Sequence, residues 1–193
     1  MKKIFLALIT GFLFFLSVKA DTKINFIYEG NKSAKIEIIV FESLTCSYCA
    51  TFHTEIYPKL KKDFIDKEIV KIIFKSFPLD LAALNDSKIA HCNNDGSSKI
   101  LHLLYEKQND WIQGEKIEDL NSNLKKIIKD ENITLNFEKC LNDKLLEDYI
   151  LEQRIEGVTK YKVDSTPTII INEKKFDKPL TYKNLKKTIE KLI

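Results

Sequence analysis

The sequence predicts an α/β fold in which a βαβ half and a ββα half share one mixed sheet, with an all-helical block inserted between them. Three observations carry this. A β-branched run at residues 36–41 gives way to a helical spacing, Cys49, Phe52, Ile56, Leu60 and Phe64, and then to a second strand-like run at 70–77. Strand, crossover helix and strand imply right-handed parallel pairing. Residues 79–161 show helical patterns and no strand pattern, whereas 168–171 and 174–176, parted by Asn172-Glu173, read as a hairpin.

The elements follow in order. Lys2 and Lys3 precede an apolar run of about fifteen residues, and Val18-Lys19-Ala20 places small residues at both cleavage positions, so residues 1–20 read as a secretory signal peptide. The run is short against the roughly 20 residues needed to span a bilayer. Residues 24–28 form a short edge strand before Gly30-Asn31. The 36–41 run suits a strand buried on both faces. The helix after it starts at the cysteines, and Pro58 should kink it. Pro78 closes the second strand. The block at 79–161 breaks at 93–96, at Gly114 and at 132–134, giving four or five helices, and an amphipathic helix at 180–192 ends the chain. The divisions are thus 21–78, 79–161 and 162–193.

Loss of the leader removes Lys2, Lys3 and Lys19 and takes the formal charge from +3 to 0. The remaining lysines are interspersed with acids, the pattern of a solvated helix surface, and nucleic acid is excluded as a partner on that ground.

The chemistry concentrates at Cys46-Ser47-Tyr48-Cys49. Cysteines three apart on a first helical turn lie within disulfide reach. Free amides and the positive end of the helix dipole favour a thiolate at Cys46, while Cys49 belongs to the apolar stripe and is shielded. Cys46 is therefore the nucleophile and Cys49 the resolving thiol of dithiol–disulfide exchange, with no cofactor beyond that redox-active disulfide. A structural disulfide and half a zinc site are the alternatives; no second Cys-x-x-Cys or His pair completes four ligands, so no metal is expected.

Phe41-Glu-Ser-Leu-Thr-Cys-Ser-Tyr-Cys-Ala-Thr-Phe-His53, with Tyr57-Pro58-Lys59-Leu60, resembles the DsbA family of thioredoxin-fold oxidoreductases, in particular its α-proteobacterial branch. The resemblance continues through residues 74–80 and at Asp164-Ser165-Thr166-Pro167-Thr168. It implies a thioredoxin-like fold with a helical insertion, Pro167 as a cis-proline beside the cysteines, and Thr166 presenting its backbone to an extended substrate. It also implies a periplasmic, monomeric enzyme that oxidises folding secreted proteins with free thiols and is reset by a DsbB-like membrane oxidase. Two departures stand out. Ser47-Tyr48 replaces Pro-His, which predicts a Cys46 pKa above the family's ~3.5 and a potential between roughly −120 and −230 mV. Val40 occupies the family's acidic position; Glu42, on the same strand face, is either the proton acceptor for Cys49 or a solvated loop carboxylate. Thr166 and Tyr48 also resemble disulfide isomerases, which makes isomerase or reductase the alternative activity; a non-catalytic metal-binding or client-holding module is the remaining one. Too few residues precede position 36 for an isomerase's dimerisation module.

Cys92 and Cys140 both lie in the helical block, and a disulfide between them is the economical pairing in an oxidising compartment, two buried thiols being the alternative. His53 is expected to cover the helix surface, with a weak local-charge effect on the cysteines as the alternative. His91 and His102 have no evident partners, and Leu104, Tyr105 and Trp111 read as core. The substrate groove would be lined by Leu44, Tyr48 and Leu79.

Overall fold

The computed structural model describes residues 23–193, and the expected signal peptide lies outside the described residues. Five strands form one mixed sheet, ordered β1-β3-β2-β4-β5: β1 (Ile27–Glu29), β2 (Ile36–Glu42), β3 (Val70–Ser76), β4 (Thr168–Ile171) and β5 (Lys174–Lys175). β2 and β3 are parallel, with Ile38 opposite Ile72 and Val40 opposite Phe74; the other pairings are antiparallel. β1 starts later than expected because Asn25 bonds Asn94 through its amide and side chain instead of joining the sheet. Asn172 and Glu173 take the positive φ angles that a tight hairpin turn demands.

Alternation along β2 builds two cores. Ile36, Ile38 and Val40 pack with the helix that follows the cysteines, whereas Ile39 and Phe41 face the opposite side with Phe77, Tyr161 and Val163. Glu42 shares the first face.

The helix after β2 is a composite. α1 (Ser47–Thr51) runs into a π-helical turn at Phe52–Ile56, then α2 (Tyr57–Leu60) and a second π-helical turn at Lys61–Ile65. The interruption expected at Pro58 takes this form: Pro58 lies in the first turn of α2, where a missing N–H is tolerated. The helical block holds six helices, α3 (Leu81–His91), α4 (Lys99–Glu106), α5 (Gln108–Trp111), α6 (Ile117–Asp130), α7 (Phe137–Leu141) and α8 (Lys144–Tyr161). The excess over four or five comes from α5 and α7, which are too short to leave a periodic signal. Cys92, at the end of α3, is disulfide-bonded to Cys140 of α7, their Cα atoms 5.5 Å apart. α8 crosses the sheet's second face, and a Cβ on its Gly157 would stand 3.0 Å from the Phe41 ring. α9 (Tyr182–Ile189), N-capped by Thr181, ends the fold.

Candidate active site

Cys46 is the N-cap of α1, in an extended conformation, and Cys49 lies on that helix's buried face. Both are free thiols. The chain ahead of them is held by the inserted block. Gln108 of α5 donates through Nε2 to the Leu44 carbonyl (2.7 Å) and the Cys46 carbonyl (3.1 Å). Thr45 donates to Asp80 (2.7 Å), which also accepts the Ala83 amide as N-cap of α3. Leu44 is buried in the core, so it does not line a groove; its backbone is anchored and its side chain turned in. Tyr48 and Leu79 are exposed, Tyr48 to 75%.

The Thr166–Pro167 peptide bond is cis, and the Thr166 carbonyl is 3.3 Å from Cys46 Sγ, in position to accept from the thiol. The Thr166 hydroxyl is buried and has no well-aligned hydrogen-bond partner among the described residues. The two sulfurs differ sharply. A hydrogen bond from Cys49, with help from the Thr166 side chain and the Cys49 and Tyr48 amides, outweighs burial and lowers the Cys46 pKa from 9.0 to about 5. Burial first, then the bond to Cys46 and the charge of Glu42, push Cys49 far up. Cys46 is therefore the thiolate and Cys49 the thiol at neutral pH.

Glu42 is buried at the end of β2, so the solvated-carboxylate alternative fails. Its Oε2 lies 2.6 Å from His53 Nε2, and its Oε1 has no hydrogen-bond partner among the described residues. Burial chiefly, and the Cys46 charge, raise its pKa well above the ordinary carboxylate value. His53 does not cover the helix surface as expected: it is 5% exposed and stacked on Tyr105, ring centroids 4.0 Å apart. The cause is the π-helical turn, whose i→i+5 bond from the Tyr57 amide to the Phe52 carbonyl inserts a residue and turns both Phe52 and His53 inward. His102, for which the sequence showed no partner, has two: Nδ1 is 2.8 Å from His53 Nδ1, and Nε2 is 2.8 Å from Glu29 Oε1. Gln108, His102 and Glu29 escaped the sequence reading because a single polar residue on a helix or edge strand carries no spacing signal.

Two cysteines at a strand-to-helix junction, one activated and one shielded beneath a cis-proline loop, define a thioredoxin-fold dithiol–disulfide exchange protein. A family model described as Thioredoxin matches residues 22–191. The chain is 31% identical over 172 residues to Disulfide bond formation protein D of Bacillus subtilis, spanning 84% of this chain and 74% of that protein. It is 29% identical over 147 residues to a protein-disulfide oxidoreductase of Rickettsia bellii, spanning 74% of this chain and about half, 55%, of that protein. The crystal structure of Wolbachia pipientis alpha-DsbA1 superposes with a TM-score of 0.78 at 27% identity, covering 87% of this chain and 90% of that one. The chain belongs to the thioredoxin family and, within it, to the DsbA-type thiol:disulfide oxidoreductases.

Proposed function

We propose that the protein introduces disulfides into folding secreted proteins through a Cys46–Cys49 disulfide. The observation that carries this is the asymmetry of the two thiols: a lowered Cys46 pKa stabilises the reduced enzyme and so makes the disulfide oxidising. A substrate thiolate attacks Cys46 Sγ, the Cys46–Cys49 bond breaks, and Cys49 leaves as a thiolate that takes up the proton held by Glu42. A second substrate thiol then displaces Cys46, leaving the client oxidised and the enzyme reduced. No other cofactor is required, because the disulfide itself carries the two electrons.

In this reading Thr166 and Pro167 flank an extended client segment that pairs with the Thr166 backbone, and Ser47 and Tyr48 tune Cys46, Tyr48 and Leu79 each offering an exposed apolar contact. The Cys92–Cys140 disulfide is structural, tying α3 to α7 within the block at 79–161, which is inserted between the two thioredoxin halves at 21–78 and 162–193. The enzyme acts as a periplasmic monomer, exported by the leader at 1–20 and reoxidised by a DsbB-like membrane oxidase. A Cys46 pKa of about 5 lies between the ~3.5 of DsbA and ~7 of thioredoxin. The expected potential accordingly falls between roughly −120 and −230 mV. Equilibration with glutathione tests the oxidase assignment: a value below thioredoxin's ~−270 mV overturns it in favour of a reductase. Cys46→Ala must abolish both insulin reduction and thiol oxidation.

A further inference from the structure

Glu42, His53, His102 and Glu29 stand in one unbroken line of hydrogen bonds, with links of 2.6, 2.8 and 2.8 Å. One end is the Glu42 carboxyl, buried at the end of β2 and within reach of the Cys46 charge. The other end is half-open to water: Glu29 and His102 border a cleft of about 890 Å³ with Tyr57, Lys61 and Ser98, and none of Cys46, Tyr48, Thr166 or Pro167 lines it. We propose that these four residues form a proton-conducting chain through which Cys49 exchanges its proton with solvent, by a door separate from the face that receives substrate; this rests on the dithiol-exchange reading above.

The direction of each bond follows from the ends. Lys61 Nζ is 3.2 Å from Glu29, and Ser98 donates to the same carboxylate that accepts His102. Hydrogen bonds from His102, then Ser98 and Tyr57, outweigh its burial and keep Glu29 ionised. An ionised Glu29 makes His102 Nε2 the donor, which leaves His102 Nδ1 to accept. His53 Nδ1 then donates and its Nε2 accepts, which leaves Glu42 as the protonated member. The resting chain is therefore uniformly oriented, every hydrogen pointing from Glu42 towards Glu29.

A shift of three protons along these bonds turns Glu42 into a carboxylate and Glu29 into an acid, reverses both imidazole tautomers, and delivers one net proton to the cleft. Glu42 can then accept the Cys49 proton as Cys49 attacks a mixed disulfide at Cys46; the reverse shift reprotonates Cys49 when it leaves. The other groups facing the chain do not divert it. Tyr105 and Tyr57, stacked on the His53 and His102 rings, have raised pKa values, chiefly through burial, and stay protonated. Phe52 and Phe74 are apolar walls, and Lys61 is shared with Asp66.

The test mixes reduced full-length protein with glutathione disulfide and follows two steps by stopped flow and acid quench. In the first, the Cys46 thiolate forms the glutathione mixed disulfide; in the second, Cys49 loses its proton and displaces glutathione. His102→Ala should leave the first step unchanged and slow the second about tenfold or more, a modest share of what positioned acid–base groups supply. Millimolar imidazole, entering the enlarged cleft, should restore it. His102→Gln, which keeps a hydrogen-bonding side chain but cannot relay a proton, should show the same slow second step while folding normally, and it decides the matter if the alanine variant is unstable. A second step within twofold of wild type in the glutamine variant, or a slow alanine variant that imidazole does not rescue, overturns the chain. If the wild-type protein forms no mixed disulfide at all, the exchange reading itself fails.

Discussion

The 2.6 Å contact between Glu42 Oε2 and His53 Nε2 joins two neutral groups. Burial raises the carboxyl and lowers the imidazole, the latter from 6.5 to about 3, so neither carries charge at pH 7. An ion pair here would have to repay the desolvation of two charges, whereas an acid donating to a neutral ring does not. Glu42→Gln should keep the fold within about 1 kcal/mol, since the amide can also donate to His53 Nε2. Glu42→Ala, which strands that nitrogen, should cost about 1–3 kcal/mol in urea denaturation. Both should slow attack by Cys49 on a mixed disulfide while leaving the Cys46 thiolate in place, as read by absorbance at 240 nm.

Thr166→Val removes a buried hydroxyl that helps to lower the Cys46 pKa. The thiolate loses one stabilising contact and keeps those from Cys49 and the helix amides, so the midpoint of thiolate formation should move up from about 5 by no more than about one unit, an increment of ~1.4 kcal/mol. A higher pKa destabilises the reduced enzyme, and the potential should become more negative by about 30 mV per unit. A midpoint that stays put in an iodoacetamide pH profile would assign the depression to the helix and Cys49 alone.

The parallel strands and the helix stripe between them were legible because their residues repeat: Ile36, Ile38 and Val40 by twos, Cys49, Phe52, Leu60 and Phe64 by helical turns, all of them buried. The dithiol was legible for the same reason, being a local spacing. His53 was not, because the π-helical turn breaks the period that a reader assumes. Nor was its pairing with Glu42, His102 and Glu29, which joins two strands and two helices at separations of up to 73 residues. Gln108 illustrates the limit further: its two bonds to the loop before and at Cys46 depend on where the inserted block docks, and no local pattern encodes that.

Gln108→Leu tests that docking. The substitution preserves bulk and removes the amide donor, so the Leu44 carbonyl loses the Gln108 bond and the Cys46 carbonyl keeps only the Cys49 and Ala50 amides. The expected cost is about 1–3 kcal/mol, with faster backbone amide exchange around residues 44–46. Equal exchange in the two proteins would show that Asp80 and the cis-proline loop hold the segment unaided.

Removing the second disulfide should separate stability from chemistry. Cys92 and Cys140 close a loop over a separation of 48 residues, which the chain-entropy model values at up to ~4 kcal/mol. The Cys92→Ala/Cys140→Ala protein should unfold at lower urea concentration, yet retain the Cys46 pKa and the rate of mixed-disulfide formation, because neither residue touches the dithiol. A changed Cys46 pKa would mean that the block's packing reaches the active site through α3 and α5.

Acid should destabilise the protein through His91. It is 3% exposed, its ring meets that of Tyr149 edge-on at 5.3 Å, and burial lowers its pKa from 6.5 to about 4 despite a backbone hydrogen bond to Asn25. The folded state thus keeps His91 neutral where the unfolded chain has already bound a proton. Its contribution to stability is whole above pH 6.5 and is lost as pH falls towards 4, at 1.36 kcal/mol per unit, ~3 kcal/mol across the interval. Glu42 and Asp86, held protonated by burial, work in the opposite sense, gaining stability as pH falls through the same range. The His91 loss is therefore masked in the wild-type curve and emerges by difference. Measured by urea denaturation at pH 7 and pH 4, His91→Phe should gain about 3 kcal/mol relative to wild type on acidification, whatever its absolute stability. Parallel curves for the two proteins would show that His91 protonates in place without opening the fold.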